Sequence, residues 1–293
     1  MKPPRFAYHD PATRSEALTL LATYSDDAKV LAGGQSLVPL LNMRLAQPSH
    51  LVDINRLADL AYIREQDGGL AIGALTRLRD IERSALVRHH CPLLAEAMPF
   101  VGHPPIRSRG TIGGSLAHAD PSAELPVVLL ALDGHILAES LEGNRKISAG
   151  SFFISQLETS LAPGELLTEA WFPAEPARAG STFVEVSRRH GDFALVGVAV
   201  QLTLHENGTI AAAQIALMGV AETPVRPHEA ERLLLEEPVG ENIFIAAAEQ
   251  AAAGLDPGAD IHASAEYRRE VAGVLINRAL HMAAARARRG DRK

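Results

Sequence analysis

Apolar residues recur along this chain at helical or alternating spacing, and the switches between the two mark out elements. Thr13-Arg14-Ser15-Glu16 is a capping-box pattern ahead of Ala17, Leu18, Leu20 and Leu21, which are spaced for one face of a helix reaching about Tyr24. Residues 29–32 read as a short strand running into Gly33-Gly34, and residues 51–54 as a second strand after Pro48. Between them, residues 37–45 are apolar enough for a helix or a packed turn, so residues 1–57 read as a small β–α–β lobe.

A second, α+β lobe spans about 58–175. Residues 60–64 and 70–74 form a hairpin around Gly68-Gly69, and Thr76 is placed to cap a helix through Arg83. Residues 93–100 suit another short helix, and Asp120-Pro121 has the cap-then-proline arrangement of a helix start. Residues 136–139 and 146–147 look like exposed strands, and 166–172 a longer strand ending at Pro173. The stretch 173–180, rich in proline, alanine and glycine, breaks the composition and divides the chain there. Beyond it come strands at 182–187, 194–204 and 209–217, with Asn207-Gly208 as a hairpin turn, then helices at 227–235, 241–253 and 264–286. On the last helix, Tyr267, Val271, Val274, Leu275 and Met282 are expected to fall on one face. The expected units are residues 1–175 and residues 180–287.

Two double glycines carry the candidate chemistry. Ala32-Gly33-Gly34-Gln35-Ser36-Leu37 and Gly110-Thr111-Ile112-Gly113-Gly114-Ser115 can each bring backbone N–H groups close to an anion, because no Cβ blocks the approach and positive φ costs little. Phosphate suits such loops, and two opposed lips could hold two phosphates. Neither G-x-G-x-x-G at the start of a βα unit nor G-x-x-x-x-G-K-[ST] is present, which removes the main support for Rossmann and P-loop sites.

Composition narrows the field. The 293 residues are 47% hydrophobic and 22% charged, an ordinary globular balance, and the net charge of −7 disfavours nucleic acid or an anionic membrane as a broad electrostatic partner. The basic end, Arg286, Arg288, Arg289, Arg292 and Lys293, reads as the cationic finish of a helix and a solvated tail. One cysteine, Cys91, excludes an internal disulfide and a four-thiolate iron–sulfur site within one chain; beside Pro92 it reads as a small buried hydrophobe. No signal-peptide core is seen, and the longest apolar run, residues 125–132, is too short for a membrane span, so a cytoplasmic location is expected.

The segments AGGQSLVPLLNMRLAQPSHLVDINRL at 32–57 and RGTIGGSLAHADPSAELP at 109–126 resemble the two FAD-binding segments of the flavoprotein (medium) subunits of molybdenum hydroxylases, the family of aerobic carbon monoxide dehydrogenase and the xanthine dehydrogenase FAD subunit. SRRHGDFALVGVAV at 187–200 and SAEYRREVAGVLINRAL at 264–280 resemble the same family in the same order. The resemblance implies a PCMH-type, vanillyl-alcohol-oxidase-like FAD-binding domain followed by the family's small α+β C-terminal domain. It further implies a heterotrimer in which a large subunit holds the molybdenum cofactor, a small subunit relays electrons through two [2Fe-2S] clusters, and this chain passes them from FAD to NAD, a quinone, a cytochrome or oxygen.

By the same resemblance Ala32, Gly33, Gly34, Gln35, Ser36 and Leu37 wrap the FAD pyrophosphate and adenosine side, with Thr111, Ile112, Gly113, Gly114 and Ser115 opposite. Glu124 is either a carboxylate on the flavin's sugar-alcohol chain or a first-turn glutamate favoured by the helix dipole. Asp120 is a cofactor residue or, more simply, a helix cap. Leu167 would pack on the flavin or only in the core, and Phe193 would lie near the isoalloxazine ring or pack at a strand start. Arg188 and Arg189, read as strand neighbours, would point to opposite faces, so at most one, taken as Arg188, would reach the ring. His103 and His118 lack further ligands at metal-site spacing and read as packing or solvent residues. No nucleophile, base and oxyanion set is recognisable. The rival reading is a self-contained FAD oxidase, disfavoured by the small size of the chain beyond the break.

Overall fold

The computed structural model describes residues 2–290, so Arg292 and Lys293 of the expected basic tail lie outside the described residues. The first lobe starts with β1 (Ala7–His9) and α1 (Arg14–Tyr24). The capping box closes as its spacing requires: the Glu16 amide donates to Thr13 Oγ1 at 3.2 Å, and the Thr13 amide donates to Glu16 Oε2 at 3.3 Å. Then come β2 (Ala28–Leu31), α2 (Leu37–Asn42) and β3 (His50–Asp53). Strand β3 lies between β1 and β2 and runs parallel to both. Ala17, Leu18 and Leu21 of α1 cover this sheet against Val52, Ile54 and Leu57.

The second lobe opens with β4 (Ile63–Gln66) and β5 (Gly69–Gly73). Both Asp67 and Gly68 take positive φ, the turn geometry that matches strand twist in a two-residue hairpin. Five helices and a buried one follow: α3 (Leu78–Arg83), α4 (Ala85–His90), α5 (Pro92–Ala97), α6 (Pro104–Arg109), α7 (Ile112–His118) and α8 (Glu124–Ala131), whose every residue is buried. The lobe ends with β6 (His135–Ser140), β7 (Gly143–Ser148), α9 (Ala149–Phe152), the small pair β8 (Phe153–Ser155) and β9 (Glu158–Thr159), and β10 (Leu166–Pro173). The sheet order is β4-β5-β10-β6-β7, antiparallel throughout.

Three expectations in this lobe need correction. Thr76 does not cap α3, because Arg77 occupies that position; the Thr76 hydroxyl is buried and exchanges hydrogen bonds with the Tyr62 backbone at 2.9 and 3.0 Å. Asp120-Pro121 does not start α8, which begins at Glu124 after Ala123; the Asp120 carboxylate instead accepts from the Ser122 amide at 2.8 Å, closing a local turn. Strand β6 is not an exposed strand, since Ile136 and Ala138 are fully buried against the helices.

The last part comprises β11 (Ala179–Ser187), β12 (Ala194–Leu204), β13 (Ile210–Met218), α10 (His228–Leu234), α11 (Glu241–Ala253) and α12 (Ala265–Gly290). The antiparallel sheet β11-β12-β13 is covered on both faces. Val196, Val198, Val200 and Leu202 face α11 and α12, whereas Ala194, Ala199 and Phe183 join the core built around α5 and α8. Double coverage is why β12 reads as an almost unbroken apolar run rather than an alternating one. Of the residues expected on one face of α12, Leu275 is buried and Val271 packs against the core, but Tyr267 and Val274 are exposed; Ala272, Ile276, Ala279, Leu280, Ala283 and Ala287 complete the buried stripe.

Candidate functional site

The two glycine lips touch. A Cβ built on Gly33 would lie 2.5 Å from the Arg109 carbonyl oxygen and 2.7 Å from Gly110 Cα, both backbone atoms, so Gly33 is where the first lip presses on the entry to the second. A Cβ on Gly114 would lie 4.0 Å from that of Ala32, a second point of approach. Gly34 has φ +72°, a left-handed conformation that glycine takes without strain.

The first lip fits an anion. Among the described residues, the backbone amides of Gly33, Gly34, Gln35, Ser36 and Leu37 donate to no protein acceptor, and neither does the Ser36 hydroxyl. Five successive unpaired amides are a run of free donors, and an unsatisfied run of this kind is stable only if solvent or a ligand accepts from it. Gln35 is less free than expected, since its side-chain amide donates to the Gly33 carbonyl at 3.0 Å and stiffens the loop.

The second lip differs from the expected picture of bare amides. Residues 112–118 are helical rather than an open loop, and Thr111 is the cap, its hydroxyl accepting from the Gly114 amide at 3.1 Å. The Ile112 amide donates to the Thr76 carbonyl at 3.2 Å, Gly113 to the Ala74 carbonyl at 3.0 Å and Ser115 to the Thr111 carbonyl at 3.0 Å. Of these residues only Thr111 keeps its amide without a protein acceptor among the described residues, and the Ser115 hydroxyl is likewise unpaired. Gly113 is buried because α7 leans on Ala74, whose Cβ would be 2.6 Å from a Cβ placed at Gly113.

Two residues absent from the sequence reading join the lips. Arg77 donates from Nη1 to the Arg109 carbonyl at 2.5 Å and from Nη2 to Asn55 Oδ1 at 2.7 Å, and Asn55 Nδ2 donates to the Ala32 carbonyl at 2.8 Å. Asp53 supports Asn55 by accepting from both its amides, at 2.6 and 2.9 Å, and accepts from the Tyr8 hydroxyl at 2.7 Å. Burial pushes the Asp53 carboxyl up, but those bonds outweigh it and hold the group below the usual carboxylate range. Desolvation, with the like charge of Arg109 second, lowers the Arg77 guanidinium. The signal missed in the sequence was Asp53-x-Asn55, an Asx-type pair at the end of β3 that returns side chains toward the backbone.

The remaining expected residues lie apart from the lips' contact. Glu124 is buried at the start of α8, and burial pushes its carboxyl up to about 8, so it is uncharged at neutral pH. Glu185 on β11 acts on it as a like charge and is itself pushed up to about 7 by burial, with Oε2 buried and unpaired. Leu167 is 5% exposed in the core between β5 and β6. Arg188 and Arg189 are not strand neighbours, because β11 ends at Ser187; both turn back toward Asp192 Oδ2, at 3.4 and 3.5 Å. Phe193 is 72% exposed rather than packed at the start of β12. This turn rests on the segment leading to the second lip, for a Cβ on Gly191 would meet the His103 ring at 2.4 Å. His118 is half-buried, and desolvation, opposed by the Asp120 charge, pushes its imidazole below the usual range. Among the described residues no group of three or more His, Cys, Asp or Glu could hold a metal.

Comparison with known proteins settles the family. Residues 4–175 match the model for the FAD binding domain in molybdopterin dehydrogenase, and residues 181–283 that for the CO dehydrogenase flavoprotein C-terminal domain. The chain belongs to this FAD-binding flavoprotein family. It is 49% identical to the 6-hydroxypseudooxynicotine dehydrogenase complex subunit alpha of Paenarthrobacter nicotinovorans, over 98% of this chain and 97% of that one. It is 39% identical to the carbon monoxide dehydrogenase medium chain of Hydrogenophaga pseudoflava, over 98% and 99%. A solved carbon monoxide dehydrogenase of Hydrogenophaga pseudoflava, lacking the Mo-pyranopterin moiety of the molybdenum cofactor, superposes with a TM-score of 0.95 over 98% of this flavoprotein chain and 99% of the other. The α+β fold and the FAD cofactor expected from the sequence both stand, and the flavoprotein is an oxidoreductase component.

Proposed function

We propose that this flavoprotein is the FAD-carrying electron-transfer subunit of a heterotrimeric molybdenum hydroxylase, fed by an iron–sulfur subunit and discharging to an external acceptor such as NAD, a quinone, a cytochrome or oxygen. The observation that carries the reading is the run of unpaired amides at 33–37 that begins where Gly33 meets Arg109 and Gly110, in a chain that matches medium subunits of molybdenum enzymes along nearly its whole length. The amides of Gly33 to Leu37 and the Ser36 hydroxyl would donate to the pyrophosphate oxygens; Thr111 and Ser115 add the donors left on the other side. Gly113 and Gly114 serve by letting the second lip come close, and Phe193 is exposed where a flat ring could cover it. Glu124, uncharged at neutral pH, can both donate to and accept from hydroxyls of the sugar-alcohol chain. Bound FAD would supply hydride and single-electron chemistry that none of these side chains performs. We further infer that the chain divides into a FAD-binding part over 1–175 and a C-terminal part over 180–287, a division supported by where the two family models meet.

The test is to purify the chain from its native source under mild conditions. The expected result is a yellow complex containing a large molybdenum-bearing chain and a small iron–sulfur chain, whose flavin bleaches only when those partners are present. A flavin in the isolated chain that bleaches with small alcohols or amines would instead identify a self-contained oxidase.

A further inference from the structure

We propose that Asn55 and Arg77 are positioning residues that form a bracket fixing the gap between the two lips, and that the spacing they impose sets FAD affinity. The proposal rests on the placement of FAD between those lips. Each lip is held by one carbonyl: Asn55 takes that of Ala32, Arg77 that of Arg109, and the Asn55–Arg77 bond at 2.7 Å closes the bracket. The lips belong to different lobes, which also meet at the Gly33 backbone contact, through the Arg14–Glu139 ion pair and in the shared cluster of Val52, Leu75 and Leu166; the bracket adds a hydrogen-bonded tie between the lips themselves. A guanidinium suits this task because its planar fork serves two acceptors at fixed angles, which an ammonium does not. Tyr8 and Asp53 orient Asn55 from behind, so β1 and β3 set the direction of the bracket.

The bracket is separable from the fold. Asn55 is exposed and Arg77 half-buried, and neither belongs to a hydrophobic core. Their removal leaves the cores intact while freeing one lip relative to the other, so the loss appears in ligand affinity rather than in the melting of the flavin-free chain. A competing account makes Arg77 a simple cation for the pyrophosphate. In that account charge alone matters, and Asn55 contributes nothing.

The test uses the full chain stripped of flavin and titrated with FAD by fluorescence quenching, for wild type, Asn55→Ala, Arg77→Lys and the double variant, alongside thermal melts without FAD. Breaking either half should weaken FAD binding by about tenfold, the equivalent of one hydrogen bond to a charged or preorganised partner. Arg77→Lys should fail to preserve affinity, the double variant should be no worse than the weaker single one, and the flavin-free melting temperatures should coincide. Wild-type affinity in Asn55→Ala together with full rescue by Arg77→Lys overturns the bracket in favour of a plain cation. Equal losses in melting and affinity overturn it in favour of a structural role. A wild-type chain that binds no FAD overturns the site itself, a result these variants do not mimic.

Discussion

Replacing Gly33 with alanine tests the contact on which the site depends. The added Cβ would sit 2.5 Å from the Arg109 carbonyl oxygen, 2.7 Å from Gly110 Cα and 3.1 Å from the Arg109 carbonyl carbon. All three are main-chain atoms, so no rotamer change relieves the clash. Ordinary contact between such atoms begins near 3.5 Å, which demands that the lips part by about 1 Å. If that movement falls on the bracket, the Arg77–Arg109 and Asn55–Ala32 hydrogen bonds, at 2.5 and 2.8 Å, stretch toward the limit of useful length. Overpacking of this kind costs roughly 1–3 kcal/mol. Expressed wholly in the holo state, each ~1.4 kcal/mol is a tenfold loss of FAD affinity.

Gly34→Ala is the matched control. Its Cβ would meet only the side-chain tips of Val38 at 3.2 Å and Leu31 at 3.4 Å, so its penalty comes from φ +72°, worth about 1–2 kcal/mol in a non-glycine residue. Both variants should be titrated with FAD and melted without it. The expected order is a larger affinity loss for Gly33→Ala than for Gly34→Ala, with smaller differences in melting. A Gly33→Ala chain that binds FAD as tightly as wild type refutes the idea that the two lips meet at this point.

Gly113→Ala should act differently, as core overpacking against Ala74 at 2.6 Å, and lower the urea midpoint of the flavin-free chain by the equivalent of about 1–3 kcal/mol; an unchanged midpoint would remove Gly113 from the packed interface. Glu124 titrates near 4.5 unfolded and about 8 folded, so the folded chain binds the proton more tightly: its contribution is fully present below pH 4.5 and lost as the pH rises toward 8. Glu185 acts in the same direction. Urea unfolding of wild type should therefore weaken across that window, and Glu124→Gln should flatten the decline; parallel profiles would show that the carboxyl is not desolvated. Burial pushes the Cys91 thiol up to about 12, so maleimide should label it only in denaturant, and rapid labelling of the native chain would contradict its burial.

Local signals carried most of what the sequence revealed. The capping box at Thr13 and Glu16, the turn at Asn207-Gly208 and the run of β12 are each specified by residues a few positions apart, and each appears where its pattern lies. What was lost depends on distant partners. Strand β1 is three residues long and exists because His50, Leu51 and Val52 offer it a parallel edge. The buried stripe of α12 is mostly alanine because β11 approaches so closely that a Cβ on Gly180 would lie 2.2 Å from the Ala283 carbonyl oxygen. Leu275, Ile276 and Leu280 share that stripe while Val274 and Tyr267 lie on the exposed side, so a reading by the bulkier residues alone recovers the face only in part.

The same distinction separates the two double glycines, which look alike as text. Gly33-Gly34 precedes a six-residue helix whose cap Ser36 makes no side-chain bond, and the amides before it stay open. Gly113-Gly114 follows Thr111, whose hydroxyl satisfies the first turn, so the absent side chains there provide nearness rather than donors. A cap residue two positions ahead of a glycine pair thus decides whether the pair offers amides or proximity. The bracket through Asn55 and Arg77 requires both kinds at once. A lip of open amides can be presented at one fixed distance only if the opposing lip is already satisfied and rigid.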